Sequence, residues 1–246
     1  MDKLIKLQLR NLFHNKLLYV CLGLTLLLNP ILTFIMSKTM SSILNSGPYQ
    51  VFPEIVSFIT SEPGIISVMF IAIFACLDFN EGTTKNIIAR GYTRNQLLRS
   101  KYIVTLIGLL IIHVSVALVT LILFVNNGLG YETNMLNKII VGIFSLVANT
   151  LFYSTLSFVL EKNSSAILAC LFVPRIFSIV LPLIDSKFKL SISDYWVDGI
   201  LSKFLENPNL GNMLLPIALF IGYSLLFAFI GTKIINKKDG FSPSFY

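Results

Sequence analysis

Six long apolar runs alternate with short polar segments along the chain, and this pattern predicts a bundle of membrane-spanning helices. A helix needs about 20 residues to cross a hydrocarbon core about 30 Å thick. The runs are continuous rather than alternating in polarity, so they indicate helices and not the strands of a membrane β-barrel. The predicted spans cover about residues 17–37, 63–79, 102–125, 139–160, 165–184 and 213–235.

The second run is the shortest of the six. Only residues 64–77 are free of charge, which gives about 21 Å of helix at 1.5 Å per residue. We therefore expect this span to extend upstream through Pro63 and Glu62, with Glu62 partly immersed in the membrane. No repeat or linker interrupts the chain, and we treat residues 1–246 as a single all-α transmembrane domain.

Residues 1–16 have the pattern of an amphipathic helix rather than of a span. One face carries Lys3, Lys6, Arg10 and His14, and the other carries Ile5, Leu9, Leu12 and Phe13. A short basic amphipathic helix of this kind typically lies in the membrane interface. The alternative is a plain solvated start to the first span.

Composition supports the same class of protein. The chain is 55% hydrophobic and 13% charged, whereas soluble domains carry about 25% charged residues. The net charge of +7 does not indicate nucleic-acid binding, because the basic residues concentrate in connecting segments and no soluble basic domain is present. Cys21, Cys76 and Cys170 fall inside apolar runs and have no metal-site spacing, so we interpret them as small apolar fillers.

The distribution of Lys and Arg predicts the orientation. With the N-terminus in the cytoplasm, the inner segments hold 13 basic residues and the outer loops five. The positive-inside rule therefore places both termini and the charged residues 78–101 in the cytoplasm. The Lys-, Asn- and Ile-rich composition is typical of a low-GC bacterium, which predicts the bacterial cytoplasmic membrane as the location. The outer loops are then 38–62, 126–138 and 185–212.

The last outer loop has helical character of its own. Apolar residues between 192 and 204 recur at helical spacing, and the only Trp of the chain, Trp196, lies among them. Trp is typical of membrane interfaces. We expect a short interfacial or re-entrant helix here, with a plain solvated loop as the alternative.

Residues 78–101, called here the charged segment, are the strongest candidate for contact with a soluble partner. Thr84 is placed to cap a short helix over residues 85–90, and Gly91 to end that helix in the left-handed conformation. Thr93 and Gln96 fit a capping box that starts a second helix. The surrounding cations are Lys85, Arg90, Arg94, Arg99 and Lys101. The alternative is a basic loop that binds lipid headgroups.

The layout resembles that of the permease subunits of type-2 ATP-binding-cassette exporters. The amphipathic N-terminal helix, six spans and outer helix match that family in order. The residues that carry the likeness are Glu81-Gly82-Thr83, Lys85, Gly91-Tyr92-Thr93-Arg94 and Lys101. In that family the loop between the second and third spans holds the coupling helix that contacts the ATPase. The resemblance therefore implies a coupling site at Glu81, Gly82, Thr83, Lys85, Asn86, Arg90, Gly91 and Arg94.

The same resemblance implies partners. No G-x-x-x-x-G-K-[ST] phosphate loop occurs in the chain, and about 120 residues outside six spans leave no room for an ATPase domain. ATP and Mg would be bound by separate cytoplasmic ATPase subunits, with no cofactor on this chain. Six spans enclose little space, so we expect a second permease, identical or homologous, as partner. In size the chain resembles the small bacterial permeases of that family, which handle peptide toxins, antibiotics or lipid-like molecules.

Three polar residues are candidates for a substrate pathway: Arg175, Asn149 and Glu62. A charge near mid-bilayer costs about 2.5–3.5 kcal/mol on insertion scales, so Arg175 is a functional hypothesis by default. Arg175 could equally pair with Glu62 or bind carbonyls freed by Pro174. Interhelical hydrogen bonds would account for Asn149 and for His113.

Other functions have weaker support. The chain has no H-E-x-x-H or G-x-S-x-G motif and no pair of mid-span Asp residues, so we do not expect an enzyme. A secondary transporter usually shows inverted repeats. The main alternative to a permease is a membrane immunity or sensor adaptor that binds a membrane-active peptide without transporting it.

Overall fold

The computed structural model describes residues 2–44, 64–80, 82–126 and 134–237. All regular structure in these ranges is helical. The helices are α1 (Asp2–His14), α2 (Lys16–Leu44), α3 (Ile65–Asn80), α4 (Thr83–Ala89), α5 (Arg94–Asn126), α6 (Met135–Leu160), α7 (Asn163–Phe188), α8 (Val197–Glu206) and α9 (Leu210–Lys237), with a 3₁₀ turn at Ser193–Tyr195.

The long helices indicate a multi-pass membrane protein. Four of the described helices contain a segment that is long and apolar enough to cross a membrane, namely α5, α6, α7 and α9. The number rises to six if α1 with α2 and α3 with α4 each form one broken span, bent by 56° and 57°. The second predicted span, expected to reach upstream through Glu62, is described only from residue 64 onward, and Glu62 lies outside the described residues.

Two helices are longer than the apolar pattern predicts. α5 begins at Arg94, eight residues before the expected start of the third span, because the capping box already starts a helix there. α2 continues to Leu44, beyond the predicted end near residue 37. Polar ends that continue a helix past its apolar run are invisible to hydropathy alone.

The core is centred on α3, which packs against α2, α5, α6 and α7. Phe70, Ile71, Phe74 and Cys76 are fully buried there. Cys21 and Cys170 belong to the same apolar cluster, and all three cysteines are free and buried, which agrees with the sequence prediction. α3 is therefore an inner helix of the bundle.

α1 packs on the protein through most of the predicted apolar face, since Ile5 and Leu9 also pack on the core, but the buried face is rotated toward Leu4 and Gln8. Leu4, Gln8 and Leu12 are completely buried, whereas Phe13 is exposed. This face lies against α5. The basic residues Lys6, Arg10 and His14 on the opposite face are exposed, as expected.

α6 and α9 run along each other at close range. Tyr102 of α5 and Thr155 of α6 share a hydrogen bond of 2.7 Å, and the Thr155 hydroxyl also lies 3.2 Å from the carbonyl of Phe227. A Cβ at Gly231 would stand 2.1 Å from the Tyr102 hydroxyl. Only glycine lets α9 approach this hydroxyl so closely.

The predicted helix before the last span is present as α8, preceded by the 3₁₀ turn. Its buried face is Val197, Ile200, Leu201 and Phe204, and it packs on α6 and α9. Trp196 stacks on Phe177 of α7 with centroids 4.9 Å apart. We call this substructure, residues 193–206, the end cap.

Candidate functional site

The short helix of the charged segment begins two residues earlier than predicted. Gly82 precedes it with φ 67°, and the helix runs over Thr83–Ala89. The predicted cap at Thr84 is wrong: Thr84 lies inside the helix, and its hydroxyl donates to the Asp78 carbonyl at 3.0 Å. Because Gly82 adopts a left-handed backbone, the chain can turn sharply from α3 into α4.

The predicted end of α4 and start of α5 are confirmed. Gly91 has φ 86°, the left-handed conformation that ends a helix without strain. The Thr93 amide donates to the Gln96 side chain at 3.0 Å, and the Gln96 amide donates to the Thr93 hydroxyl at 3.3 Å. These reciprocal bonds are a capping box.

α4 presents one polar face and hides one apolar side chain. Ile87 is buried against Leu4 of α1 and Leu97 of α5. The exposed residues of α4 and the turn after it are Lys85, Asn86, Ala89, Arg90 and Gly91. We call these five residues the docking surface. Its two cations and its fixed backbone suit a partner with an acidic or polar face.

A buried ion pair lies directly beneath this surface. Lys101 Nζ is 3.0 Å from Asp78 Oδ2, with the two side chains 1% and 3% exposed. The Gln8 amide of α1 donates to the same carboxylate oxygen at 2.7 Å. The other oxygen, Oδ1, accepts from the Thr83 hydroxyl at 3.2 Å. The Asp78 carboxylate therefore binds side chains from α1, α4 and α5.

The lysine has further partners on α3. Lys101 Nζ donates to the Phe74 carbonyl at 3.2 Å, and it lies 4.4 Å from the centroid of the Phe74 ring. Burying two charges is expensive unless their remaining hydrogen-bonding groups are satisfied. Here the Asp78 carboxylate and the Lys101 ammonium each have several hydrogen-bond partners, so the ion pair can hold α3 and α5 together at one level of the bundle.

The ion pair corrects one expectation. The sequence places Lys101 among the cations that surround the short helix, but Lys101 is buried and neutralised. Sequence analysis also misses Gln8 and Asp78 as members of the site. One sequence signal could have found Gln8, which stands midway between Leu4 and Leu12 on one helical face. A polar residue at such a position needs a partner.

The remaining predicted coupling residues fall in three places. Lys85, Asn86, Arg90 and Gly91 come together on the docking surface, and Gly82 and Thr83 form the start of α4. Arg94 is set apart, with its guanidinium 3.5 Å from the carbonyl of Ile235 in α9. Glu81 lies outside the described residues.

The predicted pathway residues do not form one cluster. Asn149 is buried in α6 and donates to the Ser145 hydroxyl one turn away, at 3.3 Å. Arg175 is exposed on α7. His113 bonds the Leu109 carbonyl within its own helix. The interhelical bonds predicted for Asn149 and His113 are therefore wrong, because each is satisfied within its helix.

No metal centre is apparent in the described parts of the chain, since no group of three or more His, Cys, Asp or Glu side chains there could hold a metal ion. An exposed helix is joined through a buried carboxylate to three other helices.

Comparison with known families places the chain. A family model described as "Protein of unknown function (DUF2705)" matches residues 32–241. The chain belongs to the DUF2705 family. The match begins within α2 and ends just beyond α9, so the charged segment lies inside the DUF2705 region. No curated protein matches the sequence.

Proposed function

We propose that this DUF2705 protein is the transmembrane permease subunit of an ATP-binding-cassette exporter. The observation that supports the proposal is the rigid, exposed helix α4 standing on a buried ion pair at the end of two apolar helices. A basic loop that only bound headgroups would not need such a support. In this proposal α2, α3, α5, α6, α7 and α9 cross the membrane, and both termini are cytoplasmic.

The linkage gives the proposal a mechanism. The ATPases bind ATP and Mg and close, and this motion pushes on the docking surface. The force passes from α4 through Thr83 to Asp78, and from there to α5 through Lys101 and to α1 through Gln8. The contacts of Asp78 with Lys101 and Gln8 are buried and 3.0 and 2.7 Å long, and Thr83 adds a part-buried bond of 3.2 Å, so in this proposal the four helices tilt as one body. The chain itself performs no chemistry.

The tilting bundle opens a path beside a second permease, identical or homologous. Arg175 is exposed near the middle of α7, on the surface that lines that path in this proposal. Apolar walls with one exposed guanidinium suit a hydrophobic or amphipathic substrate such as a peptide toxin, an antibiotic or a lipid-like molecule. Asn149 is buried and bonded within α6, and it serves packing better than transport.

A pull-down from native membranes in mild detergent tests the proposal. The variant Lys85→Glu with Arg90→Glu reverses both charges of the docking surface. The matched control is Lys237→Glu, an exposed lysine at the end of α9. We expect a soluble ATPase with a phosphate loop to copurify with the wild type and the control, and to be lost from the double variant.

Other outcomes point elsewhere. Copurification of a small peptide without an ATPase would favour the immunity or sensor adaptor. If an ATPase stays bound to the double variant, the docking surface is not the coupling site.

A further inference from the structure

A cleft opens at the end of the bundle opposite α4. Arg94 at the start of α5 lies beside Ile235 near the end of α9, so the start of α9 is at the far end. The cleft lies there, between the end cap and the first turns of α9, and has a volume of about 410 Å³. Ligand sites typically measure about 300–1,000 Å³.

The cleft is polar at one side and apolar at the other. An ion pair joins Lys203 Nζ to Asp194 Oδ2 at 2.8 Å, with both side chains accessible to solvent. The hydrogen bond from Lys203 to Asp194 raises the pKa of the lysine, so the lysine stays charged. Ile200, Phe204, Leu215 and Leu219 supply the apolar wall.

A proline adds an acceptor at the cleft. Pro216 lines the cleft within α9. Because proline has no N–H, the helical bond that would end on the Asn212 carbonyl, four residues earlier, is not made. Asn212 also lines the cleft, and its carbonyl oxygen lacks this helical partner.

The surroundings place the cleft at the edge of an apolar belt. Leu210 and Leu214 on the same turns of α9 are 72% and 73% exposed, which suits contact with lipid tails. Further along α9, Ile221, Leu225 and Phe229 continue this exposed apolar surface. The cleft thus passes from an aqueous rim with both charges to a wall that continues into lipid-facing surface.

We propose that this cleft binds one glycerophospholipid whose headgroup carries both a phosphate and a primary ammonium. Lys203 pairs with the phosphate, and Asp194 and the Asn212 carbonyl accept from the ammonium. One acyl chain lies along Leu215 and Leu219. A peptide helix fits poorly, because a helix about 10 Å wide would place only about one turn in this volume.

The proposal needs only that α9 crosses a bilayer and does not depend on transport. Its test uses the full-length protein in nanodiscs of phosphatidylcholine. A small fraction of phosphatidylethanolamine carries a photoactivatable diazirine in one acyl chain, and mass spectrometry locates the label. A second series uses phosphatidylcholine with the same diazirine chain, whose trimethylammonium cannot donate a hydrogen bond.

Two variants and one control make the test specific. Gly211 lines the cleft, and a Cβ added there would have no other atom within 4 Å, so Gly211→Phe fills the cleft without a backbone clash. Gly222→Phe is the control, since Gly222 lies further along α9 and is equally open. The double variant Asp194→Asn with Lys203→Gln removes both charges at similar size.

We expect label on the peptide that carries Leu215 and Leu219, falling about tenfold in Gly211→Phe and not in Gly222→Phe. We expect phosphatidylethanolamine to be preferred about threefold, as suits exposed charge contacts, and the double variant to lose that preference. Label spread evenly over α9, or equal labelling of Gly211→Phe and wild type, would overturn the site. Equal labelling by the two headgroups would overturn the contact of Asp194 and the Asn212 carbonyl with the ammonium, since both headgroups carry the phosphate that pairs with Lys203.

Discussion

Asp78 is a single carboxylate on which helices α1, α3, α4 and α5 depend. Removing Lys101 alone would leave this charge buried and unpaired, which typically costs about 3–5 kcal/mol. We therefore expect Lys101→Met to lower the free energy of unfolding by about that amount, measured by thermal unfolding in detergent.

The double variant Asp78→Leu with Lys101→Met is the control for this residue-scale prediction. Replacing both charges with apolar side chains of similar size is often neutral, so we expect it to recover much of the loss. If the double variant is as unstable as Lys101→Met, the ion pair is not what the single substitution breaks. Asp78→Leu also removes the acceptor for Gln8 and Thr83, so recovery should be incomplete.

Sequence reasoning reaches the local parts of this site and not its centre. The left-handed Gly91 and the Thr93–Gln96 capping box follow from neighbours within a few residues, and both are present. Gln8 and Asp78 are 70 residues apart. The sequence pattern places Asp78 at the end of an apolar run and Gln8 within an amphipathic helix, but no local rule specifies that they meet.

At the scale of elements, a very close approach between helices occurs at Gly231 of α9. A methyl group there would stand 2.1 Å from the Tyr102 hydroxyl, so α9 must shift or the Tyr102–Thr155 bond must break. We expect Gly231→Ala to destabilise the protein by about 1–3 kcal/mol in thermal unfolding. Gly222→Ala on the same helix meets open space and should be nearly neutral. Equal effects would mean that helix propensity, not packing, decides.

The end cap has its own glycine contact. A Cβ at Gly199 would lie 1.9 Å from the Ser193 carbonyl oxygen, which is backbone and cannot rotate away. Gly199→Ala should therefore displace α8 from the 3₁₀ turn. The chain has one tryptophan, and it stacks on Phe177, so Trp196 fluorescence reports this change directly. We expect a red-shifted emission for Gly199→Ala and none for Gly211→Ala, and an unchanged Gly199→Ala spectrum would contradict the contact.

The elements also show where apolar patterning misleads. The predicted apolar face of α1 includes Phe13, which is exposed, and omits Gln8, which is buried. A helix wheel ranks side chains by polarity, whereas α1 is rotated to bring Gln8 onto Asp78 and Leu4 onto Ile87. This rotation places Gln8 on the Asp78 carboxylate and leaves the Phe13 ring 43% exposed.

At the scale of the whole molecule, the proposed orientation predicts opposite accessibility of the two ends. Lys85 and Lys203 are exposed at opposite ends of the bundle, and the native cysteines are all buried. In intact cells, a membrane-impermeant maleimide should label Lys203→Cys and not Lys85→Cys, and permeabilisation should expose the second. Labelling of both before permeabilisation would contradict the orientation.

The shared carboxylate also has a consequence for how the protein is made. Asp78 precedes Lys101 along the chain, so the carboxylate that Gln8 contacts has no paired lysine until α5 begins. The nascent chain reaches electrical balance at this point only when the start of α5 has been synthesised. Because α3 also packs on α6 and α7, its apolar core is completed only after this charge has been balanced.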